Sequence, residues 1–196
     1  MLIPTRRRTW NPRGQTPIVR YNYKHDRISA IATLTVAARR ARLGLYLQLR
    51  QNNFKAVHVA KYLRLLLARL RGHVILLWDG GSIHKGPAIN AVREAYPRLH
   101  LERFPAYAPE LNPVEQIWND FKRHTGNSIL RGKQDIRLAV HGSARRVRRS
   151  PGKLRSLCAR FRPPLSPMGL DVLLLRQRSI SLRYGTNVAA ILPDSR

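Results

Sequence analysis

Residues 73–124 read HVILLWDGGSIHKGPAINAVREAYPRLHLERFPAYAPELNPVEQIWNDFKRH, and this segment sets the architecture. Val74 to Trp78 is a short unbroken apolar run between Gly72 and Asp79-Gly80-Gly81, the pattern of a buried strand that ends in a carboxylate. Pro87 opens a helix at its first position, where a missing N–H costs nothing. The helix's apolar stripe is Ala88, Ala91, Val92, Ala95 and Tyr96. Leu99 to Phe104 reads as a second short strand, which makes strand–helix–strand a right-handed unit with parallel strands. A Pro-rich loop at 105–109 leads to a second helix, with Asn112 as its cap and Pro113 at its first position. Val114, Ile117, Trp118 and Phe121 follow the i, i+3, i+4, i+7 spacing of a buried face.

Two acids stand out in this frame. Asp79 lies at the carboxyl end of a strand, where open α/β sheets collect ligands. Glu115 lies in the first turn of the later helix, with 35 residues between them. Two carboxylates at one sheet edge supply oxygen ligands for a hard cation such as Mg²⁺, the usual companion of phosphoryl chemistry. Each acid also has a purely local reading. Asn112 and Glu115 have the spacing of a capping box, and Asp79 before Gly80-Gly81 is a good turn residue.

Composition narrows the partner. The formal charge is +27, from 37 Lys+Arg against 10 Asp+Glu in 196 residues. Such a balance calls for a polyanion, and nucleic acid fits it best. No apolar run approaches the length of a bilayer span and no signal peptide opens the sequence, so no membrane role is expected and a cytoplasmic location is. The single cysteine, Cys158, excludes an internal disulfide, and no Cys/His cluster has zinc spacing.

The remainder of the chain supports one α/β domain with an extension. Residues 28–36 are apolar and β-branched, a strand, and the alternating Leu43, Leu45, Leu47 and Leu49 mark another. Phe54 to Arg71 reads as a helix with Val59, Tyr62, Leu63, Leu66, Leu67 and Leu70 on one face and Gly72 as its stop. Lys133 to Arg149 reads as a helix with Ile136, Val140 and Val147 inward and a weak point at Gly142, and Ser150-Pro151-Gly152 reads as a firm stop. From Lys122 to Arg162 there are 13 Lys/Arg and one acid, Asp135. Phosphate contact by Lys122, Arg123, Arg145, Arg146, Arg148 and Arg149 is the functional reading of this run, and a solvated helix face is the plain one. His84 and Lys85 follow Asp79 closely enough to reach a phosphate, or simply to solvate a loop. Trp10 and Trp118 could stack on a base, although Trp118 sits in an apolar stripe. Residues 163–196 show no clear period; Val172 to Leu175 is apolar but isolated, and a loosely attached segment is expected. The division expected is 1–150 for the catalytic unit and 151–196 for a poorly defined basic extension.

Three pieces, LLWDGGSIHK at 76–85, FPAYAPELNPVEQIWNDFK at 104–122 and RRTWNPRGQTP at 7–17, resemble the catalytic domain of DDE transposases of the mariner-type superfamily found in bacterial insertion sequences. The resemblance covers roughly residues 4–150. It implies a ribonuclease H-like (integrase-type) mixed sheet with flanking helices, and DNA strand cleavage and transfer by two-metal catalysis. It implies that Asp79 and Glu115 are catalytic residues and hold Mg²⁺ or Mn²⁺. It also implies a first strand, bearing a further Asp, ahead of the 7–17 segment; Met1 stands only a few residues before that segment, so this strand and its Asp are expected to be missing. Asp26 is the one other acid that precedes Asp79, and it can serve at the correct sheet edge, displaced, only if its strand runs antiparallel to that of Asp79. Weak metal binding and little or no activity alone are therefore expected, in a truncated fragment that binds DNA. The competing reading is a non-enzymatic DNA-binding or interaction module that regulates a full-length transposase, with that protein or a second copy as partner. A third is a product that never folds stably, since a lost central strand exposes sheet edges.

Overall fold

The computed structural model describes residues 12, 18–19, 26–37, 42–105, 111–125, 128, 130, 132–158, 171–182 and 189–190. Apart from Pro12, the 7–17 segment with Trp10 lies outside the described residues, as does the loop at 106–110. The elements in order are β1 (Ile18–Val19), β2 (Asp26–Val36), β3 (Leu43–Arg50), α1 (Ala56–Leu67), β4 (Val74–Trp78), a short 3-10 turn (Ser82–His84), α2 (Pro87–Ala95), β5 (Leu99–Arg103), α3 (Val114–Thr125), α4 (Lys133–Arg148), α5 (Pro151–Cys158), β6 (Asp171–Leu182) and β7 (Ala189–Ala190).

Five strands form one mixed sheet in the order β3-β2-β6-β4-β5, and β1 pairs with β7 separately. β2 runs antiparallel to β3 and β6, and β4 runs parallel to β5 and β6. Helices cover both faces. Ile28, Ala30, Ala32 and Leu34 of β2 pack under α3, α4 and α5. Ile31 of β2, with Val74, Leu76 and Trp78 of β4, packs under α1 and α2. This alternation along β2 and β4 is the two-residue pleat of a sheet buried on both sides. The architecture is the mixed α/β sheet with flanking helices expected of a ribonuclease H-like domain.

Much of the sequence reading stands. Val114, Ile117, Trp118 and Phe121 of α3 are all fully buried. The β4–α2–β5 unit is present with its strands parallel, and Pro87 does open α2, preceded by Gly86 at φ 103°, a conformation that favours glycine. Leu45 is buried, with Leu43, Leu47 and Leu49 packed on the same cluster.

Other expectations need correction. α1 is shorter than 54–71. Its end is closed by the Arg98 guanidinium, which donates to the Leu67 and Gly72 carbonyls at 2.6 and 2.7 Å. The buried face of α2 runs through Ile89 and Val92, not Ala91 and Ala95, which are exposed. Ser150-Pro151-Gly152 starts a helix instead of ending the structure. Pro151 takes the first position of α5 and the Ser150 hydroxyl accepts from the Lys153 N–H at 3.3 Å, an N-cap. α4 passes through Gly142 without a break.

The largest correction concerns the tail. Residues 171–182, within the expected loose extension, form the middle strand of the main sheet. β6 pairs with β4 from Asp171 to Leu175 and with β2 from Val172 to Leu182. The chain is apolar at Val172–Leu175, where β6 has a partner on both sides, and turns polar at Arg176, where β4 has ended and only β2 remains. A strand interior to a covered sheet needs no alternation, so the run that looked isolated in the sequence is the sheet's centre. The outer strands are β3 and β5. Arg148 Nε donates to the Leu45 carbonyl of β3 at 2.7 Å, blunting that edge.

Candidate active site

β4 delivers Asp79 to the sheet's carboxyl end. Its Oδ1 accepts from the Gly81 N–H at 3.2 Å, so the turn-residue reading of Asp79 holds alongside any other role. The chain then folds back through the Ser82–His84 turn, which brings His84 Nε2 to 2.9 Å from the same Oδ1. The two atoms are in close contact but out of line for a hydrogen bond. The His84 ring is buried and stacks on Trp78, with centroids 4.5 Å apart and planes at 27°. His84 thus backs Asp79 from inside the protein and is not a solvent-facing phosphate contact. Lys85, the next residue, is exposed.

α3 delivers Glu115. Asn112 Oδ1 accepts from the Val114 N–H at 3.1 Å and its carbonyl from the Glu115 N–H at 3.0 Å, and the helix proper begins at Val114. Glu115 is only 7% exposed. A carboxylate this deep, in the first helical turn, gains from the helix dipole. α3 packs against β2 and β6 of the sheet.

Asp26 does not join them. It pairs with Leu182, six register steps along β6 from Arg176, the residue following the Trp78–Leu175 pair. At about 3.3 Å per residue this is roughly 20 Å from the level of Asp79. β2 is antiparallel to β6 and β6 parallel to β4, so Asp26 lies at the correct edge but far displaced.

The basic residues divide by burial. Arg123, Arg145 and Arg149 are exposed and Lys122 is half-buried. Arg148 is exposed but its Nε serves the β3 edge. Arg146 turns inward to Asp120, which the sequence reading passed over. Asp120, on α3, is only 4% exposed and takes Arg146 from α4, Lys153 from α5 at 2.9 Å and Arg123 at 3.4 Å. Burial alone would raise the Asp120 carboxyl pKa; the Lys153 and Arg146 hydrogen bonds and charges outweigh it and hold it below the usual carboxylate range. The signal was present, since Asp120 lies three residues past Ile117 on the buried flank of the stripe. Trp118, fully buried edge-on to Phe121, is core and not a base-stacking surface.

In donor type, two carboxylates at a sheet end suit a hard divalent cation. In number they are few: among the described residues no group of three or more His, Cys, Asp or Glu side chains gathers to hold a metal. Among the same residues no helix is long and apolar enough to cross a membrane.

A family model described as a DDE superfamily endonuclease matches residues 1–137, a range that contains both acids. The catalytic domain of the Mos1 mariner transposase is similar at 15% identity and TM-score 0.44, over 59% of this chain and 68% of that one. The Mos1 strand transfer complex is similar at 16% identity and TM-score 0.45, over 80% of this chain and 50% of that one, so the chain spans half of its length. No curated protein matches the chain.

Proposed function

Because the chain belongs to the DDE superfamily of endonucleases, we propose that it is a mariner-type transposase domain from an insertion sequence, one that binds DNA but is silent in cleavage by itself. The observation that carries this reading is the DDE endonuclease match over residues 1–137, a range that holds both Asp79, just past the end of β4, and Glu115, in the first turn of α3. Members of this family generally use divalent metal. Here Asp79 and Glu115 would hold Mg²⁺ or Mn²⁺ weakly, and when bound such an ion activates the attacking oxygen and stabilises the leaving one at phosphorus. The protein's own part is placement. Gly81 and His84 fix the Asp79 carboxylate, and the Asn112 cap fixes the turn that bears Glu115.

Silence follows from the geometry of the acids. With Asp26 roughly 20 Å away, two carboxylates among the described residues must do the work of a larger set. Misplacement by about 1 Å already costs on the order of a hundredfold in rate. The same shortage favours, as a second reading, a regulatory module acting on a full-length transposase or a second copy in the cytoplasm.

DNA contact falls to the exposed Lys85, Arg123, Arg145 and Arg149: Arg146 is held by the buried Asp120 and Arg148 by the β3 edge, whereas Arg123 is 57% exposed and reaches Asp120 only at 3.4 Å. Four phosphate contacts give a log–log salt slope of roughly −3 to −4. Titrating duplex DNA across salt concentrations tests this: affinity flat in salt overturns the DNA-binding reading. Robust Mg²⁺- or Mn²⁺-dependent cleavage that disappears in Asp79→Asn overturns the silence.

A further inference from the structure

Two histidines with no part in the acid site meet at the opposite end of β4. His73 immediately precedes β4, and His100 is the second residue of β5. Val74, Leu99 and Leu101 pack under α1 and α2. The alternation of the strands therefore sends His73 and His100 to the other face of the sheet, where both are exposed. His73 Nδ1 and His100 Nε2 lie 3.3 Å apart. The ring planes meet at 19° with centroids 5.6 Å apart, further than the nitrogens by roughly the width of one ring, so the rings face each other nitrogen edge to nitrogen edge. The backbone holds this arrangement. The Val74 N–H donates to the Arg98 carbonyl at 2.9 Å and Arg98 Nη1 donates to the Gly72 carbonyl at 2.7 Å, which clamps His73 from both sides. The same guanidinium is turned to the Leu67 carbonyl at the end of α1. His100 is fixed by its pairing with Ile75 across the parallel strands.

We propose that His73 and His100 form a binding site for a divalent transition ion of the Zn²⁺ class, which fastens the outer strand β5 to β4. Two Zn–N bonds of about 2.0–2.1 Å meeting at a tetrahedral angle put their nitrogens roughly 3.3–3.4 Å apart, the separation already present. A tilt of each exposed ring by about 35° turns the two facing lone pairs from one another to a common point. In the neutral pair one ring donates its N–H to the lone pair of the other; with the ion bound, both facing nitrogens present lone pairs and the protons sit on His73 Nε2 and His100 Nδ1, so the pair neither gains nor loses a proton. Imidazole suits Zn²⁺, Cu²⁺ and Ni²⁺, whereas Mg²⁺ takes oxygen ligands. Among the described residues no third His, Cys, Asp or Glu joins the pair, so water completes the coordination and the ion stays exchangeable. His73 stands six residues before Asp79, roughly 20 Å along the strand, which separates this site from the acids.

The test is titration of the full chain with Zn²⁺, and separately with Mg²⁺, read by the histidine ring resonances in the wild type, His73→Gln, His100→Gln, the double variant and His124→Gln. His124 is an exposed histidine of α3 and serves as the control. Both test positions are exposed, so glutamine is tolerated at each, and the two single variants carry the test independently. The expected result is that the His73 and His100 rings shift together at one Zn²⁺ per chain and do not respond to Mg²⁺. Losing either ligand turns a two-point attachment into a single one, so each single variant should bind Zn²⁺ about a hundredfold more weakly. The double variant should lose little more, and His124→Gln should match the wild type. A loss under about tenfold in both single variants, an equal response to Mg²⁺, or an equal loss in His124→Gln overturns the paired site.

Discussion

Replacing Asp120 by Asn removes one buried charge and keeps the shape, and the structure gives the size of the effect. The Asp120 carboxylate is 4% exposed and joins three helices, through Arg146 of α4 and Lys153 of α5 to its own α3. Removing one partner of a fully buried pair costs about 3–5 kcal/mol. Arg146 and Lys153 are 32% and 33% exposed, so water recovers part of their solvation in the variant. Arg123, 57% exposed at 3.4 Å, adds about 0–1 kcal/mol at most. The net loss is about 2–3 kcal/mol, which for a chain of this size corresponds to a Tm drop of roughly 4–12 °C. The pH dependence has a fixed sign. The carboxyl pKa is lowered in the folded protein, so its stabilisation is present above the unfolded pKa, about 3.9, and is lost as pH falls through the folded value. Thermal unfolding followed by circular dichroism at pH 7, 5 and below 4 should show the full gap between wild type and Asp120→Asn at the first two and a shrinking gap at the last. A gap under about 2 °C at pH 7, or one that persists unchanged in acid, refutes the three-helix clamp.

Two further outcomes follow from the core. Trp118→Ala, at a fully buried site edge-on to Phe121 with centroids 5.5 Å apart, should cost about 3–5 kcal/mol and leave little folded protein at 37 °C. Near-native stability in denaturant would place Trp118 outside the core. Cys158 is buried on α5 and burial pushes its thiol pKa up to about 11. A thiol reagent at pH 8 should therefore label it slowly in the folded chain and quickly in denaturant, and equal rates would show that α5 does not cover it.

Signals confined to a few neighbouring residues were enough for part of this fold. The i, i+3, i+4, i+7 stripe of α3, Pro87 at the head of α2, the apolar run of β4 and the position of Asp79 at its end depend on periodicity and capping over short spans, and all are present. Asp79 and Glu115 could be singled out because strand end and first helical turn are themselves local features. Features that depend on partners distant in the chain needed the folded molecule. Asp26 reads as a spare acid until the antiparallel register of β2 sets it six steps from the site. Arg146 reads as one of a basic run until α3 and α4 pack and give it Asp120. Val172–Leu175 reads as an orphan apolar patch, because a strand flanked on both sides carries no periodic mark of its own. Its role is set by hydrogen bonds to β2 and β4, more than a hundred and about a hundred residues earlier in the chain. Pairing at that separation is governed by the geometry of the whole sheet, and so the strand that completes the sheet could be found only in the folded chain.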